Sequence, residues 1–419
     1  MYAIFSSFGT YFCMYAFRKP FTAATFENLY FLGLDYKIVL VITQVIGYMM
    51  SKFLGIKLIS ELQKKWRLPY LIAMILIAEV SLLFFAIVPH RYSFIFMFCN
   101  GLSLGMVWGV VFSYIEGRKV TEILGVVLCS SFIVSSGVVK SVGLWVVRYL
   151  EVPEVWMPAV TGAIFLLPFI LFSFLLEHIP EPTVEDRQFK QERIPMITGD
   201  RKKVLIRFGF PLIILVTFYV FLTAIRDFRD NFSREIWDAL GYQGDISVYT
   251  LSELPIAIIV LILFGFFTLI KDNYRAFISY HYLLCFGTLL VGLSSYLFQS
   301  TVIGPELWMI LIGLGLYISY VPFNGIFFDR MIATFHIKGN AGFLIYIVDA
   351  FGYLGSIMVL VYKNLVHREQ SWLTFFTTAT YLVSVLGFII SLVSLFYFKR
   401  KNVTRFKITT QPISNITYE

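Results

Sequence analysis

The sequence predicts an all-α membrane protein of about twelve spanning helices, arranged as two six-helix bundles. Three observations predict it. Of the 419 residues 58% are hydrophobic and only 14% charged, with a mean hydropathy of +0.78, whereas soluble domains run near about 45–50% apolar and about 25% charged. Apolar stretches of the roughly 20 residues that a bilayer requires recur along the whole chain. The longest polar interruption, HIPEPTVEDRQFKQERIPMITGDRKK at 178–203, divides those stretches six and six.

Taken in order, the first six spans fall near 2–26, 38–60, 69–88, 92–115, 120–147 and 156–178, making an N-terminal bundle over 1–178. A polar linker occupies 179–204. The second bundle, 205–398, holds spans near 205–232, 246–270, 276–298, 303–327, 336–363 and 372–397, followed by a polar tail at 399–419. Basic loops follow every second span: KKWR (64–67), EGRK (116–119), the linker, KDNYR (271–275), the Arg330–Lys338 region and the tail. Basic loops mark the cytoplasmic side, so both termini are expected there, in a cell's inner (plasma) membrane. The net charge of +8 thus reads as orientation, not as nucleic-acid binding. No charged stretch precedes the first apolar run, so no cleavable signal peptide is expected, and whether the native start lies upstream of Met1 stays open. Cys13, Cys99, Cys129 and Cys285 lie in apolar segments without metal spacing, and the five histidines form no cluster. Neither a cofactor, a metal site nor an enzyme active site is expected, and the chain reads as a monomer in the bilayer.

Charges inside the apolar runs are the informative residues, because a charge within a membrane is costly and usually faces a cavity or a partner. In MYAFRKPFTAATF (14–26), continuing the first helix past Pro20 places Arg18 inside the membrane. In FYVFLTAIRDFRDNF (218–232), Arg226 repeats the feature 208 residues later, at the offset that also relates spans 2 and 8. Parallel six-span repeats with a site at their interface define a large transporter class. Arginine keeps its charge, and its planar fork suits phosphate or carboxylate. Alternatively, Arg226, Asp230 and Arg234 at i, i+4 spacing form an internal ion ladder. Lys52 shares a helix face with Tyr48, or snorkels to the surface. Lys140 is a second candidate, or a partner for Glu79. Glu253 in SELPIAI and Asp349 in YIVDAFGYLG are acids in apolar helices; burial disfavours a charged carboxylate, so either could carry a proton or balance an arginine. Glycine-rich NGLSLGMVWG and LIGLGLYISYVPFNG lie inside spans and are read as helix packing, not nucleotide loops.

The segment YFCMYAFRKPF followed by GYMMSKFLG resembles the first two helices of the organophosphate:phosphate antiporters of the major facilitator superfamily, the glycerol-3-phosphate and hexose-phosphate carriers. The resemblance implies the major facilitator fold and a substrate site built from Tyr11 and Tyr15, seven and three residues before Arg18, with Tyr48, Lys52, Arg226 and, in FGYLG, Tyr353. It aligns Glu253 with a family glutamate. Several positions depart from that pattern. Ser60 and Leu269 stand where acids of the cytoplasmic interlock are expected, Val134 replaces a pocket histidine, and Asp349 replaces a small residue. The interlock is therefore expected to differ.

These readings converge on secondary active transport of a small anionic solute (organophosphate, phosphate or carboxylate-like) by alternating access. Arg18, Arg226, Lys52, Lys140 and the four tyrosines would bind it, with Asp349, Glu253 and Asp230 as coupling or charge-balancing acids. The alternative is a transporter-derived sensor or scaffold that binds without moving its ligand; uptake into vesicles separates the two. The topology is directly checkable: reporter fusions at Glu185 and Thr410 should both report cytoplasm, and an external signal at either would overturn the span count.

Overall fold

The computed structural model describes residues 1–59, 61–116, 118, 120–181, 183, 186, 198–324, 326–335, 341–366 and 370–409. Most of the expected 179–204 linker, the Lys338 region, Ser60 and the end of the tail lie outside these residues. Helices account for nearly all of the described chain. They are α1 (Tyr2–Met14), α2 (Tyr36–Leu58), α3 (Lys64–Ile87), α4 (His90–Leu104), α5 (Val107–Ile115), α6 (Thr121–Tyr149) and α7 (Met157–Glu177) before the linker. After it come α8 (Thr198–Asn231), α9 (Ser233–Ala239), α10 (Val248–Phe267), α11 (Asn273–Gln299), α12 (Pro305–Tyr320), α13 (Ile326–Phe335), α14 (Ala341–Val366) and α15 (Trp372–Thr409).

Among the described residues ten helical segments are long and apolar enough to cross a membrane, with α4 and α5 together forming one of them, His90–Ile115. The chain is a multi-pass membrane protein. The first expected span departs from the sequence reading, since its α-helix stops at Met14 and continues as two 3₁₀ turns, Tyr15–Phe17 and Pro20–Ala23. Pro20 has no N–H to donate and its ring crowds the carbonyl four residues back, which favours the break seen here. A two-stranded hairpin, Tyr30–Phe31 paired with Leu34–Asp35, follows. Its two-residue turn holds Leu32 at φ 51° and Gly33 at φ 78°, the left-handed pair that matches strand twist.

Within the first group, α2 packs on α4, α3 on α4 and α7, and α1 on α6 and α7; within the second, α8 packs on α14 and α15, and α11 on α12, α13 and α15. The groups meet along α2 with α14 and α6 with α10. Glycine sets the closest approaches. A Cβ at Gly101 would lie 2.1 Å from the Gln44 carbonyl oxygen, and one at Gly47 2.2 Å from that of Phe98. Here small residues let two backbones touch, the packing role expected of the 100–109 stretch. Across the groups, a Cβ at Gly137 would meet the Tyr249 carbonyl oxygen at 2.3 Å.

Gly101→Ala should therefore cost about 1–3 kcal/mol by overpacking α2 against α4. Gly265→Ala, with nothing within 4 Å of its Cβ, should leave the melting curve unchanged; equal melting of the two variants would refute this account of the contact.

Candidate functional site

The break in the first span frees backbone carbonyls that a helix would satisfy. Asn100 Nδ2 on α4 donates to Phe17 O at 2.9 Å, and Gln44 Nε2 on α2 donates to Arg18 O at 3.1 Å. Gln44 Nε2 also donates to Asn100 Oδ1 at 2.8 Å, so the two amides form one brace. Both amide side chains are buried. The unwound turn is thus satisfied at membrane depth by protein groups, the condition under which irregular backbone is tolerated there. It aims Arg18 and Lys19 between the two helix groups.

Between the groups lies a narrow cavity of about 30 Å³. Nine of the eleven residues singled out from sequence line it: Tyr11, Tyr15, Arg18, Tyr48, Lys52, Arg226, Asp230, Asp349 and Tyr353. Lys140 and Glu253 line a smaller neighbouring cavity. The structure adds Lys19, Asp227, Trp108 and Phe132 to the wall, with Tyr317 and Tyr320 from α12.

Each arginine places its guanidinium carbon over a tyrosine ring. The Arg18 guanidinium is 3.9 Å from the Tyr48 ring centroid, and that of Arg226 is 3.8 Å from Tyr320. Such stacking orients a cation while leaving its edge donors available. The two differ in their acids. Arg226 Nη2 pairs with its neighbour Asp227 at 2.6 Å, and Ser356 Oγ donates to the other Asp227 oxygen at 2.8 Å. Arg18 is only 6% exposed, forms no ion pair among the described residues, and its Nε has no hydrogen-bond partner.

The remaining charges lock the groups together. Asp230 is gripped by Lys19 and by Lys140, the latter at 2.5 Å, and accepts a hydrogen bond from Ser136. Lys37 pairs with Glu235 at 2.6 Å on the same side, toward the hairpin. Toward the opposite face Lys52 pairs with Asp349 at 3.3 Å, and Tyr219 donates to the same carboxylate. Beyond it Arg330 Nη2 pairs with Glu122 at 2.8 Å while its Nη1 donates to Asn273 at 2.7 Å. This last pair joins the two groups at the face where the sequence lacks the expected acids.

Several expectations are corrected here. The Arg226–Asp230–Arg234 ladder does not form: Asp230 faces the lysines, and Arg234 pairs with Asp238 at 2.6 Å. Lys140 is spent on Asp230 and not on Glu79. Lys52 does not snorkel; it is buried against Asp349. Glu253 is held by Arg229 at 2.6 Å, a partner the sequence reading did not name. Among the described residues no group of three His, Cys, Asp or Glu side chains could hold a metal ion.

The architecture, two helix groups enclosing a charged cavity, is the major facilitator fold. The chain itself belongs to DUF5690, a family of unknown function, whose profile matches residues 20–401. No curated protein matches the sequence. Among solved structures it is similar to a D-xylose-proton symporter, with TM-score 0.62, 16% identity and coverage of 94% of this chain and 96% of that one. It is also similar to the human organic anion transporter MFSD10, at TM-score 0.57, 12% identity and coverage of 94% and 98%. A peptide transporter POT variant in complex with sulfate gives TM-score 0.62, 14% identity and coverage of 95% and 94%. At such identities the likeness establishes the fold alone.

Removing Asp230 should leave two buried ammonium groups facing each other. Asp230→Asn is expected to lower stability by about 3–5 kcal/mol, read as a fall in melting temperature. Lys140→Met in the same background should recover part of that loss, and no recovery would refute the shared-acid arrangement.

Proposed function

We propose that this protein is a secondary active carrier for a small anionic solute of organophosphate, phosphate or carboxylate type, working by alternating access. The observation that carries the reading is Arg18. A guanidinium buried in the membrane without a carboxylate is costly, and here it is stacked, aimed into a cavity and unpaired among the described residues. In the cavity wall Arg18, Lys19, Lys52 and Arg226 stand against Asp227, Asp230 and Asp349, four cations to three carboxylates. An incoming anion would complete the site.

In this reading Arg18 supplies the forked grip from one helix group and Arg226 a second contact from the other. Tyr11, Tyr15, Tyr48 and Tyr353 offer hydroxyls and ring faces. Lys52 and Asp349, and Lys19 and Lys140 with Asp230, are the closures at the two ends of the cavity, and the anion competes with these acids for their lysines. Asp349 and Glu253 then act as charge-balancing groups, each already holding a cation. A basic cytoplasmic side, both termini included, and residence in the plasma membrane complete the proposal. The fold shared with an organic anion transporter and with a carrier seen with sulfate is compatible with an anionic cargo.

The test is charge-conserving. Arg18→Lys keeps the charge but loses the fork. A charge-assisted hydrogen bond is worth about 1.5–3 kcal/mol, so binding of glycerol 3-phosphate, inorganic phosphate or gluconate, whichever the wild type takes up, should weaken roughly ten- to a hundred-fold. Melting should change little. Arg226→Lys should lose both affinity and stability, because Asp227 loses its partner geometry. Unchanged affinity with lowered melting in both variants would mean that the arginines only hold helices together.

A further inference from the structure

Outside the cavity, the buried Glu79 forms no ion pair among the described residues. Glu79, on α3, is 7% exposed, and its Oε2 has no hydrogen-bond partner. It stands 15 residues into α3, about 22 Å along the helix from Lys64 at the usual rise, and so within the membrane. The structure makes room for it. A Cβ at Gly162 on α7 would lie 2.1 Å from Glu79 Oε2 and 3.1 Å from a ring carbon of Phe17. The carboxyl therefore sits where α7 offers a glycine, and Phe17, the residue that precedes Arg18, borders the same glycine.

The charged groups of the surrounding elements are all directed elsewhere. On α4, His90 and Arg91 are exposed at the helix start. On α5, Tyr114 donates to Glu177 of α7. On the broken turn, Arg18 stacks on Tyr48 and Lys19 reaches Asp230. No cation among the described residues forms an ion pair with Glu79. An unpaired carboxylate in such a setting gives way to the neutral acid, which keeps its proton until water or a cation arrives.

We propose that Glu79 is a proton-binding site, protonated in this closed arrangement and linked to the substrate-holding turn through Phe17. When the two helix groups part and the turn shifts, water reaching the niche accepts the proton and leaves the carboxylate hydrated; closure requires that a proton return. Anion movement through the cavity is thereby tied to proton movement. The Asp349 carboxylate, already held by Lys52, is not needed for it. The transport half of this inference rests on the carrier reading above; the protonation half does not.

Infrared spectroscopy on the full chain in lipid nanodiscs reads the protonation directly. At neutral pH the wild type should show a protonated-carboxyl band that Glu79→Gln lacks, and Gly162→Ala, which fills the niche, should shift or weaken it. Identical carboxyl bands in wild type and Glu79→Gln would overturn the proposal. In proteoliposomes under an imposed pH gradient, labelled glycerol 3-phosphate, inorganic phosphate and gluconate are offered in turn. The wild type should concentrate at least one of them, whereas Glu79→Gln should bring it only to equilibrium. A Glu79→Gln variant that accumulates label as well as the wild type, or a wild type that merely equilibrates it, would overturn the coupling. A wild type that neither binds nor moves any of the three would refute the carrier reading instead, and the infrared result would still decide whether Glu79 holds a proton.

Discussion

Compensation of charge in a medium without water governs the interior of this protein. Lys19, Lys52, Lys140, Arg226 and Arg229 are buried, and each reaches a carboxylate. Three of these contacts run between the helix groups, Lys19 and Lys140 to Asp230 and Lys52 to Asp349. The groups cannot separate without uncovering those charges, and separation is tolerable only where water enters to replace the lost partner. The ion pairs thus favour a closed cavity and link its opening at either end to hydration.

The unwound turn at Phe17–Arg18 follows from the same constraint. A guanidinium at the end of a regular helix would point along a fixed face, and neighbouring backbone groups would be bonded to each other. Ending the α-helix at Met14 lets two consecutive cations diverge, Arg18 onto Tyr48 and Lys19 onto Asp230. The released carbonyls are then met by Asn100 and Gln44, whose close approach depends on Gly101 lying against the Gln44 backbone. A packing detail of α2 and α4 is in this way connected to the position of the one cavity arginine lacking an acid.

Much of this was legible in the sequence, for physical reasons that also explain the remainder. Spans are visible because the bilayer imposes length and hydropathy, and Arg18, Arg226, Lys52 and Asp349 stand out because charge in such runs is rare. The partners of those charges are another matter. Asp230 was placed with Arg226 and Arg234 by helical spacing, yet its lysines come from residues 19 and 140, a relation set by how two bundles meet. Gln44 and Asn100 are neutral amides in apolar helices, and nothing local shows that they face a broken turn. Tyr317 and Tyr320 were lost among many tyrosines. The hairpin at 30–35 is too short to leave a period, although Leu-Gly at its tip is a turn signal in hindsight.

The contact at Arg330 shows how a departure in sequence becomes intelligible in three dimensions. Ser60 and Leu269 stand where an acidic interlock was expected, which left no visible means of joining the two groups at that face. Arg330, in the middle of α13, supplies one: its fork spans Glu122 of α6 and Asn273 at the start of α11. A single planar guanidinium thereby ties the first helix group to two elements of the second. Because the Glu122 side chain is 34% exposed, solvent already screens this pair, and its net contribution is smaller than that of the buried Asp230 cluster.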